Sequence, residues 1–278
     1  MESDGNSEKA GPASEVVAAM MGQVRSALAS GRHRPVVIGL CGSQGSGKTT
    51  LAQAVLDACA RDGLSAATLS LDDLYLTHGQ RRELARTVHP LLATRGVPGT
   101  HDIALGLDML DALESGMPAA LPRFDKAIDD RRPERNWPIV GPELEVLIFE
   151  GWCLGAFPQP PSELASPVNA LEAEEDADGL WRAYVNDMLG DAYQRLFARL
   201  DRLVLLAAPG FEVVHGWRME QERELATNGG GARIMDEAQI ARFIAYYERL
   251  TRWILAEMPP RADLVIRLDA ERRPISID

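Results

Sequence analysis

The sequence predicts an α/β fold, a mostly parallel five-stranded sheet with helices on both faces. Three observations predict it. Short, continuous apolar runs recur at residues 35–41, 66–71, 145–149, 202–206 and 263–268, as expected of strands buried on both sides. Between several of them lie longer stretches whose apolar residues repeat at helical spacing. Strands separated by helices rather than by tight turns imply a parallel sheet with helices above and below.

In chain order, residues 1–14 carry Glu2, Asp4 and Glu8 with no apolar run, and are expected to form a disordered tail rather than a leader. The remainder, 15–278, reads as one domain. Residues 14–30 place Val16, Val17, Met20, Met21, Val24 and Leu28 on one helical face, and Gly31 breaks that helix. The strand at 35–41 runs into a Gly-rich stretch. A helix over 48–60 follows, with Leu51, Ala52, Val55, Leu56 and Cys59 facing inward and Gly63 as its stop. A helix is expected over 103–113, for which Asp102 is a candidate N-cap. One long helix is expected over 180–200, with Trp181, Tyr184, Val185, Met188, Ala192, Tyr193, Leu196 and Leu200 on one face. Another spans 236–258, where Asp236 and Gln239 have capping-box spacing. Residues 158–179, rich in Pro and acids, read as a solvated insertion.

Composition narrows the function classes. The chain has 278 residues and a net charge of −12, from 29 basic and 41 acidic side chains. That balance opposes non-specific nucleic-acid binding, which depends on neutralising phosphates with Lys and Arg. No apolar run reaches the length of a membrane span. Three cysteines, none in a C-x-x-C pair, argue against a disulfide framework or a structural zinc and for a reducing, cytoplasmic setting.

Chemistry enters at Gly42-Ser-Gln-Gly-Ser-Gly-Lys-Thr49, a full match to G-x-x-x-x-G-K-[ST] lying between a buried-type strand and an apolar-faced helix. Glycines let the backbone turn back and aim successive N–H groups at phosphate oxygens, and the helix start adds its positive dipole end. The expected nucleotide contacts are Gly42, Ser43, Gln44, Gly45, Ser46, Gly47, Lys48, Thr49 and Thr50, with Lys48 on the outer phosphates and the Thr49 hydroxyl on Mg²⁺. The fold class thereby sharpens to a three-layer P-loop NTPase. The strand ending at Phe149 delivers Glu150 to the carboxyl edge of the sheet, where it can serve the metal or its waters. Ser70-Leu-Asp-Asp-Leu-Tyr75 follows the second strand, and either Asp72 or Asp73 could accept the proton of an attacking hydroxyl. These residues alone do not choose between the two.

Together these pieces resemble the small-molecule kinase branch of P-loop proteins, which includes uridine kinase, phosphoribulokinase and pantothenate kinase. The base of that branch is the Asp of a D-x-[FL]-[YH] pattern, matched by Asp72-Asp73-Leu74-Tyr75 with Asp72 in the role, and its F-E-G sequence is matched by Phe149-Glu150-Gly151. Arg95-Gly-Val-Pro-Gly-Thr-His-Asp102, Phe124-Asp-Lys126, Asn136-Trp-Pro138, Phe149-Glu-Gly-Trp-Cys-Leu-Gly155, Val168-Asn169 and Gly216-Trp-Arg-Met-Glu-Gln221 further resemble the D-glycerate 3-kinase family, in the same order from about Val36 onward. Two departures stand out. The family's Ser-Ala-Pro-Gln reads Cys41-Gly-Ser-Gln44 here, and its D-D-F-Y-L-T reads Asp72-Asp-Leu-Tyr-Leu-Thr77. Both keep the glycine and acid framework.

The resemblance implies ATP-dependent phosphorylation of a small organic acid, with ATP and Mg²⁺ as cofactors. A nucleoside, pantothenate or a sugar phosphate are the alternative acceptors. It points to Tyr75, His101, Asp102, Arg123 and Lys126 around the acceptor, since an acid needs cationic donors despite the overall charge. It also places a lid at 211–235, with Arg218 over the transferring phosphoryl group and Asn228-Gly-Gly-Gly231 as a joint. Trp137, Trp152, Trp181 and Trp253 are read as packing residues. An acceptor-free switch or ATPase is the rival, and the N-K-x-D element of switch GTPases is absent from the chain.

Overall fold

The computed structural model describes residues 11–31, 35–227 and 235–278. Most of the expected tail and the 228–231 joint lie outside the described residues. Six strands form the central sheet: β1 (Val36–Gly42), β2 (Ala66–Ser70), β3 (Val146–Gly151), β4 (Arg202–Ala207), β5 (Leu264–Leu268) and β6 (Pro274–Ile277). Their spatial order is β6-β5-β4-β1-β3-β2, parallel except for the antiparallel β5–β6 edge. The apolar runs of the sequence predict five of these strands. The sixth is a short Pro-Ile-Ser-Ile edge segment with Ile275 exposed, so it lacks the continuous apolar run that marks an inner strand.

Alternation along the strands builds the two cores. Val36, Ile38 and Leu40 of β1 face α1 (Ser14–Ala29) and α2 (Lys48–Arg61), together with Val146 and Ile148 of β3. Val37 and Cys41 face the other way. There, Leu147, Phe149, Leu205 and Val265 meet α4 (Ile103–Glu114), α6 (Leu180–Gly190), α7 (Ala192–Phe197) and α9 (Glu237–Glu257). The result is the expected three-layer arrangement. The remaining helices are α3 (His78–Thr87), α5 (Ala170–Glu175) and α8 (Glu212–Thr227). Trp137, Trp152 and Trp181 are buried, as packing residues should be. All three cysteines are buried and free. Among the described residues, no helix is long and apolar enough to cross a membrane.

Two expectations need correction. The long helix expected over 180–200 is two helices, because α6 ends at Gly190 and Asp191, at φ −112°, ψ −94°, breaks the run before α7. Residues 158–179 are not solvated throughout. Glu172 and Asp176 are both buried, each bound to a buried arginine, Arg249 and Arg182 respectively. Composition signals exposure for such acids, but a matched cation with several hydrogen bonds allows burial. The capping box is present, with Asp236 and Gln239 bonding each other's backbone N–H groups.

Candidate active site

The register of the parallel strands brings the candidate residues to one edge. Leu40 of β1 and Ser70 of β2 both pair with Glu150 of β3, so the three strands end side by side. Immediately beyond them come the Gly-rich loop, the 3₁₀ turn Leu71–Leu74 and the segment following Gly151. Ligands of open α/β sheets bind at this carboxyl edge, where the strand order reverses.

The loop between β1 and α2 is closed by its own residues. Lys48 Nζ donates to the Ser43 carbonyl at 3.0 Å, and Gly47 caps α2 at φ 92°, a left-handed conformation suited to glycine. The hydroxyls of Ser43 and Ser46 and the side-chain oxygen of Gln44 are buried without hydrogen-bond partners. Buried polar atoms are normally paired, so these orphans, at the N-terminus of α2, fit a site built to receive an anion. Thr49 Oγ1 donates to Glu150 Oε1 at 3.4 Å. Burial raises the Glu150 pKa, which Lys48 opposes and Asp72 reinforces. Among the described residues, no group of three or more His, Cys, Asp or Glu side chains gathers as a metal cage. A hydroxyl and one carboxylate suit Mg²⁺, which keeps waters and takes its other ligands from phosphates.

Across from the loop, Asp72 and Asp73 point to different tasks. Asp73 accepts from the Phe124 N–H at 3.0 Å and pairs with Arg123 at 3.4 Å, so it ties the turn to the Phe124–Asp125 strand. Asp72 accepts from the Tyr75 hydroxyl at 2.7 Å and from Lys126 Nζ at 2.6 Å. Burial alone would raise its carboxyl, but Lys126, Tyr75 and His101 outweigh that and hold it at about 2. The two acids thus differ in geometry: Asp73 is bound into the turn and the neighbouring strand, whereas Asp72 stands between a phenol and an ammonium.

His101 stacks on Tyr75 at 4.6 Å, and its Nδ1 lies 2.5 Å from the Tyr193 hydroxyl. Tyr193 also accepts from the Gly99 N–H at 3.0 Å. Burial depresses the His101 pKa to about 3, so the ring is neutral, and its Nε2 is buried with no partner. Asp102 caps α4 through the Leu105 N–H at 3.1 Å and pairs with Arg131 at 3.1 Å. Arg123 is committed to Asp73 and to the carbonyls of Pro122 and Thr68. Arg218 lies on α8 with its guanidinium 5.0 Å from the Phe243 ring centroid, and its Nη1 reaches Gln221. The preceding residue, Trp217, packs on the Gly-rich loop so closely that a Cβ on Gly45 would lie 2.6 Å from the Trp217 Cβ.

Comparison with known proteins decides the family. The chain is 33% identical over 260 residues to the uncharacterized kinase mug58 of Schizosaccharomyces pombe, covering 87% of this chain and 91% of that protein. It is 32% identical over 258 residues to the chloroplastic D-glycerate 3-kinase of Arabidopsis thaliana, covering 87% of this chain and spanning 54% of the plant protein. A solved D-glycerate 3-kinase from Cryptococcus neoformans superposes with a TM-score of 0.78 at 26% identity, over 95% of this chain and 97% of that one. The chain belongs to the D-glycerate 3-kinase family. No family model matches it. The protein is therefore an ATP-dependent kinase of the P-loop class, as the motifs imply.

Several residues around the kinase's site make contacts that no local pattern in the sequence assigns. Arg272, in the β5–β6 turn at φ 66°, donates to the Gly45 carbonyl at 2.6 Å and pairs with Glu220 of α8 at 2.5 Å. It clamps the Gly-rich loop from 227 residues away in the chain. Trp152 Nε1 and the Tyr247 hydroxyl hold the carbonyls of Gly96 and Arg95 at 2.8 and 3.3 Å, which fixes the segment leading to His101. A Cβ on Gly96 would fall 2.1 Å from that same hydroxyl. Arg81 and Arg95, which belong to a basic stretch, both turn to Asp129.

Proposed function

We propose that this kinase transfers the γ-phosphoryl group of ATP to a hydroxyl of a small organic acid, D-glycerate, giving 3-phosphoglycerate. The observation that carries the reading is the placement of the paired Asp72 and Lys126 at the strand edge that also presents the Gly-rich loop. A carboxylate that can take a proton and an ammonium that can bind a carboxylate then stand together. The names of the plant and fungal relatives support the acceptor.

In this reading Lys48, Thr50 and the loop amides hold the phosphates, and Asp72 orients and deprotonates the acceptor hydroxyl. The hydroxyl oxygen bonds to the γ-phosphorus while the bond from that phosphorus to the bridging oxygen breaks. The bonding pair leaves with ADP, and the hydroxyl proton passes to Asp72. Thr49 and Glu150 would hold Mg²⁺, which when bound neutralises charge on the phosphates. Arg218 closes the site from α8. His101 and Tyr75 line the acceptor side, and Lys126 meets the carboxylate. Arg123 and Asp102 act on the acceptor only by shaping that side, since their side chains are bound to Asp73 and to α4 and Arg131. The transition state is loose and needs little covalent help, so positioning and electrostatics do the catalysis.

The test is ADP release from ATP and Mg²⁺ with D-glycerate, L-glycerate, uridine, pantothenate and ribulose 5-phosphate, against an acceptor-free control. Selective turnover of D-glycerate is expected. Turnover of a neutral acceptor alone overturns the acid reading, and equal release in every well overturns acceptor phosphorylation.

A further inference from the structure

The two partners of Asp72 differ in kind. Tyr75 is buried, stacked on His101 and edge-on to Phe124 at 5.2 Å, so its hydroxyl is fixed. Lys126 has a side chain 62% exposed, and its flexible stem reaches Asp72 from the small hairpin of Phe124–Asp125 and Asp130–Arg131. The neighbouring cations are committed elsewhere: Arg123 to Asp73, Arg131 to Asp102, and Arg81 and Arg95 to Asp129. Asp73, His101, Glu150, Cys153 and Tyr247 also interact electrostatically with Asp72, and the buried His101 ring among them is neutral near pH 7. Among the described residues, Lys126 is the cation that pairs with the candidate base itself.

We propose that Lys126 determines acceptor specificity by changing partners. It holds Asp72 in an ion pair until the anionic group of an acceptor draws the ammonium away, and Oδ2 is then left to receive the acceptor hydroxyl. This inference rests on the acid-kinase reading above and adds how the acid is told from other alcohols. A carboxylate gripped at 2.6 Å by an ammonium is a weak proton acceptor. Water and neutral polyols bring no charge to replace Asp72, so the pair persists in their presence and ATP is protected from hydrolysis. A hydroxy acid supplies the replacement carboxylate and the hydroxyl at once. The selected class is small acids whose hydroxyl lies within a few bonds of the anion, close enough for Lys126 and Asp72 to act on one molecule.

The test compares wild type, Lys126→Met and Lys126→Arg in acceptor-free ADP release and in kcat/KM for D-glycerate and for glycerol. The Met variant keeps the apolar stem and frees Asp72. Acceptor-free ADP release is expected to rise ~10-fold or more, a modest part of what a released general base can supply. The preference for D-glycerate over glycerol is expected to collapse by ~100-fold, the scale of losing one charged contact. Lys126→Arg, which retains the charge, should restore low acceptor-free release. A Met variant that loses D-glycerate through KM alone, with acceptor-free release unchanged, would make Lys126 a static anchor and overturn the exchange. The acceptor-free arm needs no glycerate. Failure of wild type to use glycerate therefore overturns the acceptor assignment while this arm still judges the exchange.

Discussion

Replacing Asp72 with Asn removes one charge and keeps the side chain's shape. Tyr75 can still donate to the Asn oxygen, and Lys126 is exposed enough to return to water, so the change isolates the carboxylate. A carboxyl ordinarily at 3.8 but held at about 2 by Lys126 and Tyr75, against its burial, is bound more strongly ionised than protonated. The difference corresponds to about 2 kcal/mol of folded-state stability at neutral pH. Because the folded pKa lies below the unfolded one, this contribution is complete above about pH 4, about half gone by pH 3, and lost as pH falls through 2. At ~2.1 cal/mol/K per residue, the loss lowers Tm by about 3–4 °C at pH 7. The assay is thermal unfolding of wild type and Asp72→Asn at pH 7, 4 and 3, alongside phosphoryl transfer at pH 7. The gap in Tm should shrink with falling pH, and transfer should fall by ~10²–10⁴, the range of a lost general base. A constant gap would refute the ion pair as the cause. Transfer within a few-fold of wild type would refute Asp72 as the base.

Arg272→Ala removes the bond to the Gly45 carbonyl and the pair with Glu220, which loosens the phosphate loop. KM for ATP should rise ~5–10-fold with a smaller change in kcat, since a hydrogen bond from a charged donor is worth ~1.5 kcal/mol or more; an unchanged KM would show that the loop holds its form alone. Arg249→Ala strands the buried Glu172, which receives bonds from Arg249 at 2.8 and 2.6 Å. Removing one member of such a pair should cost about 3–5 kcal/mol, read by urea unfolding. A loss below ~1 kcal/mol would mean that water reaches Glu172.

What the sequence made legible was the chemistry that sits at strand ends. Leu40, Ser70 and Glu150 are neighbours in register, so locating the strand ends in the sequence brings the Gly-rich loop, Asp72 and Glu150 to one edge. The choice between Asp72 and Asp73 was not legible from composition, because both are turn acids. It depends on Lys126 and Arg123 from a hairpin about fifty residues away. Arg272 is hidden for the same reason, as its partner Gly45 belongs to the far end of the chain. Periodicity failed where backbone geometry intervened, at Asp191, and where an edge strand lacked an apolar run, at β6. The acids Glu172 and Asp176 misled because charge predicts exposure only when no cation is waiting inside.

The central claim is that phosphate reaches the terminal hydroxyl of D-glycerate. Proton-coupled ³¹P NMR of a reaction containing the kinase, ATP, Mg²⁺ and D-glycerate tests it in one spectrum. A new phosphomonoester triplet is predicted, because phosphorus on the 3-oxygen couples to a CH₂ group. A doublet would place it on the 2-oxygen, and growth of inorganic phosphate alone would contradict phosphoryl transfer to the acid.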